Sequence, residues 1–334
     1  MTARAESPAI VPVSGGRLGA LAATLAAVAL ALTPITAVLT LGWLVRLARR
    51  EAMIALLSQG WALRRRQAIA DLARAPDTEI AFPGFLRGLW RAFTAGVFAT
   101  VGITMLMLPA SALLALSWWA GWENSFNKGY EQAWVGPALG LAGTLIAAAT
   151  LLHAPMLTAH AAVERRLAAF LEFGVARRLI GAVRWRYLAL GVASVVAALP
   201  PLAIQAGFAF MANATDDATA REAGTRLHGF ATVYLVLVVT VLRLWAARLY
   251  ARAVLAIWPA GRLRDLAPAL GIAPSSRPAP PPKRRLAALV TGVVGFAVWV
   301  AFILALYVAQ FANHAWWNWF SQPIVGLPWV FRVL

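Results

Sequence analysis

Apolar runs recur along the chain at bilayer-spanning length: Leu18 to Val45, Ala92 to Trp119, Val135 to Ala159, Tyr187 to Met211, Gly229 to Leu242 with an arginine-bearing continuation to Ala247, and Leu286 to Val308. Each except the fifth reaches the roughly 20 residues that carry a helix across about 30 Å of hydrocarbon. The fifth has a shorter uninterrupted core before Arg243, but a long arginine side chain near the interface can snorkel outward, so this run too reads as a span. The first run is longer than the roughly 7 to 15 residues of a signal-peptide core and lacks a polar exit. It reads as one uncleaved span bent near Pro34, where the missing amide leaves a carbonyl to be satisfied inside protein. A re-entrant first segment is the alternative, and it would move the N-terminus across the bilayer without disturbing the other five. The pattern predicts an all-α polytopic membrane protein of about six transmembrane helices.

The connections carry a second pattern. In the first, Ile54, Leu57, Trp61, Ile69 and Leu72 share one side, with Arg64, Arg66 and Arg74 elsewhere and Arg65 interrupting the stripe. In the third, Leu167, Phe170, Leu171, Val175 and Leu179 form a stripe beside Arg165, Arg166 and Arg177, with Arg178 intruding. Helices so patterned lie in the interface plane with arginines among phosphates. Arg64, Arg65, Arg66, Arg165, Arg166, Arg177 and Arg178 are therefore the expected lipid-headgroup contacts. The chain divides into an outward-facing N-terminal tail (1–17), a five-helix membrane domain (18–258), a cytoplasmic Pro/Arg-rich linker (259–285), the sixth span (286–308) and a Trp-rich tail (309–334). Trp316, Trp317, Trp319, Phe320 and Trp329 place that tail along the outer interface, the level that indole rings favour.

Composition strengthens this reading. The 334 residues are 61% hydrophobic and 13% charged, with a mean hydropathy of +0.71, too apolar for a soluble chain of this length. A net charge of +17 would point to nucleic acid in a soluble protein. Here the arginines flank apolar runs, so anionic lipid headgroups are the expected partner and nucleic acid is not. The first, third and fifth connections hold nine, six and nine of the 30 Lys/Arg. By the positive-inside rule these connections are cytoplasmic and both termini face outward, as expected of a multi-pass protein in a bacterial cytoplasmic membrane.

Candidate chemistry is sparse. Without cysteine there is no thiolate nucleophile or cysteine-ligated metal. All thirteen carboxylates read as lying in connections or the N-terminal tail, whereas ion-coupled carriers keep an ionisable residue near the midplane. His153, in the third run, is the candidate haem or pigment ligand, and His160 follows at i+7 on nearly the same face. No second membrane histidine stands at similar depth, so a structural role is expected and no cofactor is required. Ser111, Ser117 and Ser194 have no activating partner in the sequence, and there is no nucleophile elbow or phosphate loop.

Four segments together resemble an uncharacterised prokaryotic membrane family known only as a domain of unknown function, number four thousand and thirteen. They are GWLVRLARR at Gly42 to Arg50, FPGFLRGLWRAFTAG at Phe82 to Gly96, FLEFGVARRLIGAVRWRYLALGV at Phe170 to Val192 and FATVYLVLVVTVLRLWAARLY at Phe230 to Tyr250. The resemblance implies a multi-pass helical protein and transfers no active residue. The expected function is that of a non-enzymatic accessory, scaffold or assembly subunit packing against other integral membrane proteins, motivated by the small residues of Leu18 to Ala31 and Ala138 to Ala149. A carrier or binder of lipid or another amphiphile is the alternative.

Overall fold

The computed structural model describes residues 17–31, 34–58, 85–126, 134–211, 217–257 and 285–313. Eight α-helices and no strand occur among them: α1 (Arg17–Ala31), α2 (Pro34–Leu57), α3 (Phe85–Phe126), α4 (Val135–Glu164), α5 (Phe173–Ala182), α6 (Arg184–Met211), α7 (Asp217–Ile257) and α8 (Arg285–Asn313), with a 3-10 turn at Leu167–Leu171 between α4 and α5. Three stretches are long and apolar enough to cross a membrane: Gly88–Ser117 in α3, Val135–Glu164 in α4 and Thr232–Ile257 in α7. Helices α5 and α6, bent by 107° at Val183, make a fourth if taken as one broken span. This is the make-up of a multi-pass membrane protein, with three to four candidate spans among the described residues. Helix α8 covers the sixth run, but its described apolar stretch, Leu289–Ala301, is a short one.

The first apolar run corrects the expectation of a single bent span. Thr40 Oγ1 donates to the Ala27 carbonyl at 2.9 Å, although residues that far apart on one continuous helix would lie about 20 Å apart. The chain therefore reverses between α1 and α2, and α1 runs back along α2 as the re-entrant alternative required. Pro34 starts α2, where its lack of an amide costs nothing. Leu30, four residues before the proline, has its carbonyl satisfied by the Thr36 hydroxyl instead. Ala27 and Ala31 then bury against Val236 of α7.

Small residues set the remaining spacing. A Cβ on Gly42 would fall 1.7 Å from the Ala92 carbonyl oxygen, and one on Gly96 would fall 2.0 Å from that of Val38. Helices α2 and α3 thus touch backbone to backbone, as small-residue seams in membrane helices allow. Gly136, Gly140, Gly143, Thr144, Ala147 and Ala148 form the buried side of α4, with Gly143 against Leu113 and Leu114 of α3. This side of α4 is therefore used for packing within the chain, whereas Ala22, Ala26 and Ala29 of α1 are exposed. Residues 154–163 of α4 are buried on every side, which makes the end of this helix the centre of the bundle.

The third connection also differs from the sequence reading. It is not one amphipathic helix: the 3-10 turn is followed by a break at Glu172 (φ −78°, ψ 58°) and then by α5. Phe170 leaves the expected lipid-facing stripe and inserts inward, its ring 5.6 Å from that of Phe98 and against Gly102, where an added Cβ would lie 2.1 Å from the ring. Leu167 and Leu171 stay exposed while Phe170 and Leu179 are buried. Gly102 supplies the socket that pulls the aromatic ring in.

Candidate functional site

His160 sits on the last turn but one of α4, only 3% exposed. The chain beyond it is shaped to bring partners back. Helix α4 ends at Arg165, which adopts a left-handed conformation (φ 57°, ψ 31°) and donates its amide to the Ala161 carbonyl. Glycine is the usual occupant of such a cap, because a Cβ there costs about 1 kcal/mol. Arg166 is then extended, and the turn returns Glu172 to the histidine.

The resulting cluster is a chain of hydrogen bonds. His160 Nε2 lies 2.9 Å from Glu172 Oε2, and His160 Nδ1 lies 3.1 Å from the Tyr250 hydroxyl. A carboxylate only accepts, so Nε2–H donates to Glu172; in the neutral ring Nδ1 then accepts from the Tyr250 O–H. Arg166 donates to Glu172 Oε1 at 3.1 Å through a terminal guanidinium nitrogen and to Glu164 Oε2 at 3.1 Å through Nε. Tyr250, on α7, is fully buried. The cluster thus ties α4, the third connection and α7 into one unit, with both ring nitrogens of His160 engaged.

The His160 hydrogen bond, aided by Arg166, holds the Glu172 carboxyl below the usual carboxylate range although burial opposes it. Its hydrogen bonds to Glu164 and Glu172 raise the Arg166 guanidinium above its ordinary value. A depressed carboxyl stabilises the fold above its unfolded pKa of about 4.3, and this contribution is lost as pH falls through the native value. The detergent-solubilised protein is therefore expected to lose thermal stability below about pH 4, and Glu172→Gln to remove part of that slope. Equal slopes for both proteins, in melts recorded between pH 3 and 8, would refute the assignment.

Nearby, Arg248 Nε of α7 donates to Glu51 Oε1 of α2 at 2.7 Å, and Arg46 of α2 donates to the Gly88 carbonyl of α3 at 3.2 Å. Glu51 is a buried carboxylate inside a helix rather than in a connection. Adjacent to these contacts a narrow cleft opens between α2, α4, α6 and α7, with Arg243 in its wall. Arg243 is 6% exposed, so it does not snorkel. It lies seven residues before Tyr250, on nearly the same face of α7.

The other sequence candidates fall in different places. His153 donates from Nδ1 to the Ala149 carbonyl at 2.7 Å and meets the Phe173 ring edge-on at 5.6 Å. That leaves Nε2 as the nitrogen a haem or pigment would use. Among the described residues no group of three or more His, Asp or Glu is placed to hold a metal. Arg177 and Arg178 are exposed on α5, and Arg165 is exposed at the cap. Arg166, expected at lipid headgroups, is 41% exposed and is engaged by two carboxylates. Arg64, Arg65 and Arg66, the 259–285 linker up to residue 284, the N-terminal tail to residue 16 and the aromatic tail beyond 313 lie outside the described residues.

Sequence reasoning missed Glu172 and Tyr250 as partners of His160, and Glu164 as a partner of Arg166. A histidine closing an apolar run and followed by two acids among arginines is a visible signal for the two glutamates; Tyr250, 90 residues away, gives none. Compared with family models, curated proteins and solved structures, the chain matches none of them.

Proposed function

We propose that this chain is a non-enzymatic accessory or scaffold subunit of the bacterial cytoplasmic membrane, crossing it about six times and meeting other integral membrane proteins through a rigid basic face. The observation that carries this reading is the way α5 is held. Its inner side, Ala176 and Leu179 with Val183 beyond, is buried against the bundle, while Arg177 and Arg178 are exposed, followed by exposed Arg184, Trp185 and Arg186 at the start of α6. The 107° bend sets α5 nearly at right angles to α6, so it lies along the membrane plane if α6 crosses. The His160 cluster fixes the connection that leads into it. Fixed arginines beside an exposed indole suit acidic segments of a partner, with anionic headgroups as surrounding lipid. The buried Gly/Ala side of α4 is used inside the chain, whereas Ala22, Ala26 and Ala29 of α1 are exposed and leave a small-residue face open to a partner helix. Membership of the family that the four segments resemble is part of the same proposal.

The test is gentle purification from native membranes, comparing the wild type with a variant carrying Ala at Arg177, Arg178, Arg184 and Arg186, and identifying companions by mass spectrometry. Companion proteins are expected with the wild type and should fall at least about tenfold with the variant, as for loss of several interfacial charges. A wild type that purifies alone, or companions indifferent to the four substitutions, would overturn it.

A further inference from the structure

His153 is used neither by the His160 cluster nor by the basic face. It is half-buried on α4, inside the candidate span Val135–Glu164. A carbonyl only accepts, so Nδ1–H donates to Ala149 and the neutral ring carries its lone pair on Nε2. Nε2 has no hydrogen-bond partner among the described residues. A helical side chain leans over the preceding turn, and the residue there, Ala149, is exposed and ends at its methyl group. Phe173, at the start of α5, meets the imidazole edge-on with centroids 5.6 Å apart. Trp134, 70% exposed at the start of α4, marks the headgroup level at that end of the span. At 1.5 Å per residue His153 lies about 28 Å further along the axis, near the far edge of roughly 30 Å of hydrocarbon. The helix thus presents a fixed lone pair at the boundary between hydrocarbon and headgroups. Arg177 follows Phe173 at i+4, on the same face of α5 and one turn, roughly 5 Å, further along. It is exposed and makes no ion pair with the described residues. Glu172, the acid nearest to it in sequence, is turned to His160 and Arg166.

We propose that His153 Nε2 is the single axial ligand of a haem seated on the α4 surface beside Ala149, its macrocycle among lipid chains and a propionate on Arg177. A neutral imidazole nitrogen is a common protein ligand to haem iron, and the hydrogen bond on the other ring nitrogen sets the tautomer that ligation needs. The site is on the outside of the bundle, so no internal cavity has to hold the ring. A planar, permanently charged guanidinium suits the two oxygens of one carboxylate. It therefore favours a haem, whose propionates are free acids, over a chlorophyll-type pigment, in which that group is esterified. His160, the other histidine of α4, has both nitrogens engaged, so the iron keeps an open sixth position. The assignment is independent of which proteins the basic face meets.

Full-length protein in detergent, titrated with ferrous haem, is expected to bind one haem per chain. Its Soret band should differ from that of haem in detergent alone and shift again when carbon monoxide takes the open position. His153→Ala should weaken binding at least about tenfold, since losing even a group behind a metal ligand costs that much, and added imidazole should restore the band. The fold should survive this change, because the side chain's hydrogen bond is to its own helix; helicity and elution volume check it. Ala149→Leu keeps the ligand but fills the ring's place, and should weaken binding as well. Metal-free protoporphyrin, with the same ring and acids, should bind at least about tenfold less tightly than haem. Arg177→Gln should weaken haem about threefold, the scale of one exposed ion pair, and leave haem dimethyl ester unaffected. Absence of a saturable band, or the same band in a folded His153→Ala protein, would overturn the proposal. Equal binding of metal-free protoporphyrin would reduce it to partitioning of an apolar ring and overturn ligation. An Arg177→Gln protein that binds haem as well as the wild type would overturn the propionate contact. Should His153→Ala fail to fold, Ala149→Leu and the wild-type comparison of haem with protoporphyrin decide.

Discussion

Replacing Gly42 with leucine is expected to abolish recovery of monodisperse protein. The first atom of any side chain there would sit 1.7 Å from the Ala92 carbonyl oxygen and 2.7 Å from the Gly96 amide nitrogen. Overpacking in a core typically costs about 1–3 kcal/mol because neighbouring side chains can rotate away. Here the obstacle is backbone, so relief requires α2 and α3 to move apart as rigid bodies. That movement would also disturb the Arg46 hydrogen bond to the Gly88 carbonyl. Gly96→Leu should behave in the same way, since its Cβ would meet the Val38 carbonyl at 2.0 Å. Gly292→Leu on α8 is the control: nothing lies within 4 Å of its added Cβ. Losing a helical glycine there should be neutral or stabilising by up to about 1 kcal/mol. Size-exclusion profiles and thermal melts in one detergent compare the three. A Gly42→Leu protein as homogeneous and as heat-stable as the control would refute the backbone contact.

The pattern of apolar runs was enough to read a helical membrane protein, because burial in lipid is a property of local composition. Features that depend on contacts between distant segments were not readable. Pro34 announces an interruption, yet a bend and a reversal break the same local hydrogen bond; the choice rests on Thr40 finding the Ala27 carbonyl and on Ala27 and Ala31 finding Val236. Phe170 belongs to an apolar stripe that would suit an interfacial helix, and only Gly102, on another helix, draws it inward. Arg166 looks like its neighbours in sequence, but two carboxylates within six residues of it engage its guanidinium. Arg243 stands near enough to the end of its apolar run to suggest snorkelling, and its burial comes from facing α4 across the cleft. For Arg177 and Arg178, which are exposed, a local amphipathic pattern was sufficient information.

Substituting His160 by alanine should destabilise the protein by roughly 3 kcal/mol, the scale of leaving buried polar groups without partners. The fully buried Tyr250 hydroxyl would lose its acceptor, and Glu172 would lose its closest donor while keeping Arg166. Two weaker changes separate the parts. Tyr250→Phe removes the hydroxyl together with its need for a partner and should cost about 1 kcal/mol, and Glu172→Gln keeps an acceptor for Nε2–H at similar cost. If the three side chains act as one network, His160→Ala made in the Tyr250→Phe, Glu172→Gln background should cost less than it does alone by about 1–2 kcal/mol. Strict additivity would dissolve the network into separate contacts. Because the network anchors the turn that leads into α5, its loss should also expose that segment, seen as faster tryptic cleavage after Arg165, Arg166, Arg177 and Arg178 at temperatures where the rest of the chain stays resistant. The same variant should then lose companion proteins although every arginine of the basic face is retained, since fixed geometry, and not charge alone, is what that face offers a partner.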